Sequence, residues 1–203
     1  MGLLSGYFFS WLQSAPFYVA AHAQAVSLLP QASEETWLDV GCGPGLVTRL
    51  AAQRGYEAIG VDRDRNMIGC AAKLTGAHAS CRFELADVAH LNARYCADVV
   101  SAASLLFVLE DPQAALRQLW GCVRPKGTLL IIETTQEMSP AHARSVIDRI
   151  PPRRRAALSL WARARNGKAL DPNIYAALPA LSIERNPLLH GMLAAWTFKK
   201  SPA

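Results

Sequence analysis

Apolar positions along the chain fall into two kinds of run, and the kinds alternate. Short, nearly continuous apolar runs occur at "TWLDV" (36–40), "EAIGVD" (57–62), "CRFELAD" (81–87), "ADVVSAAS" (97–104) and "TLLIIET" (128–134). Their length and their glycine, proline and aspartate flanks predict buried strands. Between them, apolar residues recur at helical spacing over 46–55, closing on Gly55, and over 65–76, closing on Gly76. A third such segment starts at Asp111, a natural N-cap, with Pro112 in the first helical position. Upstream, 15–29 reads as a helix with Ser14 as its cap and Pro30 just past its end, and 3–12 as a shorter aromatic helix. Strand alternating with helix predicts right-handed crossovers and a mostly parallel sheet.

After Thr134 the rhythm changes. Ser139-Pro140 opens a helix to about Ile150, and Pro151-Pro152 breaks it. A further helix over 153–168 carries Ala157, Leu160, Trp161 and Ala164 at helical spacing. The runs at 180–186 and 191–200 read as strands, with only Pro187 to His190 between them. That gap is too short for a parallel crossover, so the pair is antiparallel.

Composition makes this one globular domain: 203 residues, 51% hydrophobic and 18% charged. No Lys, Arg, Asp or Glu precedes Glu34, yet Gln13, Ser14, Pro16, His22 and Gln24 interrupt the apolar start, and no membrane span is expected. Five cysteines without CxxC spacing predict neither disulfides nor a metal site, and a cytoplasmic setting. The charge is uneven: residues 121–203 hold thirteen Lys or Arg against five Asp or Glu.

The candidate chemistry starts at "LDVGCGPG" (38–45). A strand running into glycines and then a helix lets a ligand approach the backbone and the free N–H groups of the helix start. The spacing is GxGxG, with Asp39 two residues before Gly41. A carboxylate there repels a pyrophosphate and suits an ammonium group. Asp62 ends the next strand, where an acid accepts from ribose hydroxyls. Asp87 ends the third and can accept from an adenine amino group. The three acids ask for a phosphate-free adenosine with a cationic amino-acid end, and S-adenosylmethionine fits.

"WLDVGCGPG", "GVDRD", "LAD", "ADVVSAASLLFVLEDP" and "RPKGTLLIIE" resemble successive motifs of the class I S-adenosylmethionine-dependent methyltransferases. The resemblance covers 36–134 well and 180–200 loosely. It implies a Rossmann-like α/β fold: a seven-stranded sheet, mostly parallel, with one antiparallel strand near the C-terminus and helices on both faces. It implies that Asp39 and Gly41 hold the methionine end, with Cys42, Gly43 and Gly45 lining the cofactor. Asp62 would take the ribose and Arg63 flank the adenine. Asp87 and Val88 would hold the adenine, and Ser101 or Ala102 would offer a carbonyl to the ammonium. Cys42 reads as a small filler rather than a nucleophile. The layout is then lid helices over 1–33, a cofactor core over 34–134, a helical insertion over 135–179 and terminal strands over 180–200.

Phe107 stands where many relatives with small-molecule acceptors place histidine. Its ring face could meet the sulfonium or a cationic acceptor. Candidate bases are Glu133, Tyr18 and His22. Tyr7, Phe17, Tyr18 and Phe107 are expected to shape an apolar acceptor pocket. The activity expected is methyl transfer to a small, apolar or amphiphilic acceptor. Two rivals stand beside it. One is methylation of phospholipid or RNA, with Arg153, Arg154, Arg155, Arg163, Arg165 and Lys168 meeting nucleic acid or an anionic membrane. The other is a cofactor-binding protein without turnover.

Overall fold

The computed structural model describes residues 10–75 and 80–202. Among these, seven strands form one sheet: β1 (Thr36–Val40), β2 (Glu57–Asp62), β3 (Cys81–Leu85), β4 (Ala97–Ala103), β5 (Val123–Thr134), β6 (Ser182–Leu188) and β7 (Leu193–Lys199). Their order is β3-β2-β1-β4-β5-β7-β6. Strands β1 to β5 are parallel, and β7 runs antiparallel to both β5 and β6. The helices are α1 (Pro16–Ser27), α2 (Leu46–Ala52), α3 (Arg65–Thr75), α4 (Pro112–Gly121), α5 (Pro140–Val146) and α6 (Arg155–Arg165). The expected fold class therefore holds. The chain order turns back between β1 and β4, and such a switch point is where open α/β sheets bind ligands.

Period-two alternation divides the core into two layers. Trp37, Val99, Leu130 and Ile132 face a layer that includes α1, α2 and Trp161 of α6. Leu38, Val40, Val100, Leu129 and Ile131 face the other, around Leu116 and Leu119 of α4. The α1 stripe of Phe17, Tyr18, Ala21, His22, Ala25 and Val26 is buried. This covering of both faces suits parallel strands, which read as apolar throughout.

The structure departs from the expected boundaries in several places; β6, for one, runs on through Pro187 and Leu188, so that the turn to β7 is residues 189–192. Ala15, not Ser14, caps α1, and the Ser14 hydroxyl donates instead to the Trp11 carbonyl. β5 begins at Val123, because Ala97 pairs with Val123 and Val99 with Thr128, so Arg124 to Gly127 bulge out between two paired segments. A 3₁₀ segment, Pro172–Ala177, fills what the sequence left irregular and buries Tyr175 against Trp196 and Phe198. The buried stripe of α6 is Ala157, Leu158, Trp161, Ala162 and Arg165, while Leu160 is 45% exposed. The helix is thus rotated from its expected orientation, and one arginine lies on the inward face.

The Asp111 carboxylate accepts from the Ala114 N–H at 2.8 Å, and Pro112 follows it, as expected. Asp111→Ala should cost about 1 kcal/mol. Thermal denaturation should show Tm lower by about 2–4 °C, with Asp111→Asn close to the parent.

Candidate active site

The turn after β1 is held against β2. The Gly41 and Cys42 N–H groups both donate to the Val61 carbonyl, at 2.8 and 3.0 Å. Gly41 and Gly45 adopt φ of +68° and +80°, a region that disfavours side chains. A Cβ on Gly41 would lie 2.7 Å from Leu105, and one on Gly45 2.6 Å from Phe83. Gly45 therefore serves the packing of α2 against β3. The Gly43 N–H donates to Asp62 Oδ2 at 2.9 Å, and the Asp64 N–H to Oδ1 at 2.8 Å. Asp62 thus braces the turn and keeps further lone pairs for a ligand.

Asp39 is 1% exposed. Its Oδ2 accepts from the Thr48 N–H and hydroxyl at 3.1 and 2.7 Å, and its Oδ1 from the Ser101 hydroxyl at 2.9 Å. The Trp37 indole N–H donates in turn to Ser101 at 2.8 Å. Burial pushes the Asp39 carboxyl up to about 6, against the pull of these hydrogen bonds.

A cleft opens at the C-terminal ends of the strands. It brings together Tyr18, Gly41, Gly43, Asp62, Arg63, Asp87 and Val88 from the sequence expectations. Asp39, Cys42 and His22 line a smaller recess, which shares Gln13, Tyr18, Gly41 and Ala103 with the cleft. Burial raises the Cys42 thiol well above its ordinary value, which keeps it protonated. Ser101 and Ala102 are fully buried, and the β4 end enters the cleft through Ala103 and Ser104 instead. Ser104 holds φ of +53°, an uncommon value for a residue with a side chain.

The acceptor-side residues are sorted differently from expectation. Phe17 lies in the core against Trp161, with ring centroids 6.4 Å apart, and does not line the cleft. Tyr7 falls outside the described residues. The face of Phe107 is covered by the protein's own Arg165, whose guanidinium carbon lies 3.4 Å from the ring centroid. Glu133 is 3% exposed, and its Oε1 accepts from the Leu106 N–H at 2.9 Å, which pins the turn after β4. Burial pushes Glu133 up to about 7, against that hydrogen bond and the nearby Arg165. Burial also raises the Tyr18 phenol well above its usual range. It lowers His22 to about 4, so the ring is neutral at pH 7. Its Nδ1 meets the Tyr18 carbonyl at 2.8 Å and must carry the proton, which leaves Nε2 buried as an unpaired acceptor.

The basic run over 153–168 is split. Arg154 bonds the Trp11 carbonyl and the Ser14 hydroxyl, and Arg155 bonds the Ile150 carbonyl and Asp148. Arg165 turns into the cleft. Arg153, Arg163 and Lys168 are the ones exposed to solvent. Sequence reasoning missed Gln13, Ser104, Leu105 and Arg165 as cleft residues. For Arg165 a signal existed, since it follows Trp161 by four residues on the apolar stripe.

A glycine turn at the sheet's switch point, with acids at three successive strand ends, defines a Rossmann-like nucleoside-binding domain. A methyltransferase-domain family matches residues 38–131. The matched segment, from β1 into β5, takes in the glycine turn and all three acids, and the resemblance to the class I S-adenosylmethionine-dependent methyltransferases rests on it. The chain is 30% identical over 165 residues to a trans-aconitate 2-methyltransferase of Methylobacterium radiotolerans, covering 75% of this chain and 59% of that one. It is 40% identical over 98 residues to an uncharacterized methyltransferase of Mycobacterium tuberculosis, covering 47% and 48%. The chain spans between 33% and 59% of the length of these and similar curated relatives. The fold is shared with the N-methyltransferase NodS of Bradyrhizobium japonicum, solved with S-adenosylhomocysteine: TM-score 0.65, 17% identity, 93% and 90% of the two chains covered. A Methanococcus maripaludis structure described as an S-adenosylmethionine-dependent methyltransferase aligns with TM-score 0.72 at 15% identity, over 99% and 94%. Among the described residues, no helix is long and apolar enough to cross a membrane.

The raised Glu133 carboxyl links stability to pH. Between its ordinary value of 4.5 and about 7, the folded state keeps a proton that the unfolded state has released, so stability falls as pH rises through this window. Glu133→Gln retains an acceptor for the Leu106 N–H and removes the titration. Urea unfolding across this range should show the variant gaining on the parent from pH 4.5 to 7, with a constant difference above pH 7.

Proposed function

We propose that the cleft binds S-adenosylmethionine and that the protein transfers its methyl group to a small organic acceptor. The observation that carries this reading is the shared cleft of Gly41, Gly43, Asp62, Asp87 and Val88 at the switch point. The residues fit the cofactor: Asp39 stands before the glycine turn and Asp62 is bonded to it, which disfavours a pyrophosphate and suits an ammonium and ribose hydroxyls. In this reading Asp62 accepts from the ribose, Asp87 and Val88 hold the adenine with Arg63 beside it, and Gly41 backs the methionine end. Asp39 acts from the recess behind, through its charge. The cofactor supplies an electrophilic methyl on a cationic sulfur. The chain supplies alignment, a contribution of up to about 7–11 kcal/mol.

The candidate bases are poorly placed or poorly suited for taking protons. The Tyr18 phenol stays protonated and His22 is a weak base with a value of about 4. Glu133, raised to about 7, has a value that suits a base, but it is turned onto the Leu106 N–H and does not line the cleft. An acceptor already nucleophilic at neutral pH fits this site. Gln13 and Tyr18 form the N-terminal wall of the cleft, which supports a covering role for the segment before β1.

Calorimetry with S-adenosylhomocysteine tests the cofactor assignment. The parent should bind, and Asp62→Ala should weaken binding about tenfold or more, in keeping with lost hydrogen bonds to a charged group. No binding by the parent would defeat the proposal. Incubation with methyl-labelled cofactor and cell-extract metabolites then separates turnover from binding alone, since a non-catalytic binder would label nothing.

A further inference from the structure

Arg165 is a charge without a counter-charge in contact. The residue is 8% exposed and lines the cleft. Among the described residues its guanidinium makes no hydrogen bond and no ion pair within 4.0 Å, and its close partner is the Phe107 ring. Residues 1–9 and 76–79 contain no Asp or Glu that could serve. Glu133 is near enough to be felt and its Oε2 is buried without a partner, but no Arg165 nitrogen lies within 4.0 Å of it, and its Oε1 is taken by the Leu106 N–H. A guanidinium stays protonated in proteins, so burying it unpaired costs several kcal/mol. Two hydroxyls share this part of the cleft. Ser104 Oγ is buried without a well-formed hydrogen bond, at a strained position, and it lies beside the Tyr18 phenol. Arg165 offers only donors, and both hydroxyls can donate.

We infer that Arg165, flanked by Ser104 and Tyr18, is the receptor for a carboxylate carried by the methyl acceptor. This rests on the cofactor reading above. A carboxylate is the complement of a donor-only cluster, accepting through two oxygens from the guanidinium fork. The Phe107 face fixes the plane of that fork, because an arginine stacked on an aromatic ring has little freedom to turn. The acids of the cofactor half, Asp39, Asp62 and Asp87, stand at β1, β2 and β3, whereas Arg165 stands by Tyr18, Phe107 and the β5 end. An anionic acceptor is thereby drawn to the side of the cleft away from those acids.

The test uses the full chain loaded with S-adenosylhomocysteine and a panel of carboxylates, each paired with its neutral methyl ester. Trans-aconitate, benzoate and octanoate are the probes. At least one acid should bind in preference to its ester. Arg165→Gln should reduce that preference about tenfold or more, as expected for loss of charged hydrogen bonds, and should leave S-adenosylhomocysteine affinity unchanged. Arg165→Lys, which keeps charge without the fork, should fall between. Thermal denaturation adds a readout that a structural role would move the other way: removing an unpaired buried charge should leave Tm equal or higher. The inference is overturned if the parent binds no acid better than its ester, or if the preference survives in Arg165→Gln. It is also overturned if that variant loses affinity for S-adenosylhomocysteine, since the guanidinium would then hold the cofactor's own carboxylate. Failure of the parent to bind S-adenosylhomocysteine defeats the cofactor reading instead, and the acid-against-ester comparison run without it still decides the role of Arg165.

Discussion

The site depends on one buried carboxylate. Asp39 joins three elements through four side chains: it receives Thr48 from α2 and Ser101 from β4, and Ser101 in turn receives Trp37 from β1. Trp37 and Asp39 share a face because strand residues two apart do. That face is the one α1 and α2 cover, so the acid is sealed between sheet and helices. A buried acid costs stability unless donors surround it. Three donors do so here, and the same three fix where α2 begins relative to β1 and β4. The glycine turn between Asp39 and α2 has few ways left to run. Its conformation follows from its two ends being tied, with the Val61 carbonyl and the Asp62 carboxylate closing the third side.

A second consequence concerns charge. The three strand-end acids lie together at β1 to β3, and Arg165 lies toward β5. Apart from Arg63 beside Asp62, the charge along the cleft therefore runs from negative at the acids to positive at Arg165. Such a gradient matches a reacting pair in which a cationic sulfonium meets an electron-rich acceptor. Low-dielectric walls strengthen each half of the field over its value in water. The Phe107 ring is part of this arrangement, since it gives a guanidinium a partner where no carboxylate reaches it.

Much of this was legible from residue order. The three acids could be placed because strand ends are marked by local signals: Gly41 after "LDV", the aspartate ending "EAIGVD", and the turn after "FELAD". The two antiparallel strands could be paired because Pro187 to His190 are too few for a crossover. What escaped was set by rotation and long-range contact. On α6 the apolar pattern of Ala157, Leu160, Trp161 and Ala164 fits a helix equally well when turned toward Leu158, Ala162 and Arg165. Periodicity fixes the period of a stripe and leaves its phase loose when small residues line both sides. Ser104 was missed for a related reason: the β4 end could be placed only to within a residue or two, and the cleft begins one residue beyond Ala102, at Ala103.

The protonation states of the site restrict its chemistry further than its shape does. Tyr18, His22 and Glu133 are each moved by burial toward the neutral form. A phenol held protonated donates, a histidine held neutral with Nδ1 committed accepts weakly, and a carboxyl bound to the Leu106 N–H shapes a loop. Of the three, Glu133 has the value that would suit a base, and it stands outside the cleft. In-line methyl transfer needs no proton removal when the acceptor atom already carries a lone pair and a negative charge. A carboxylate meets that condition at neutral pH, and a site without a strong base in the cleft is consistent with such an acceptor.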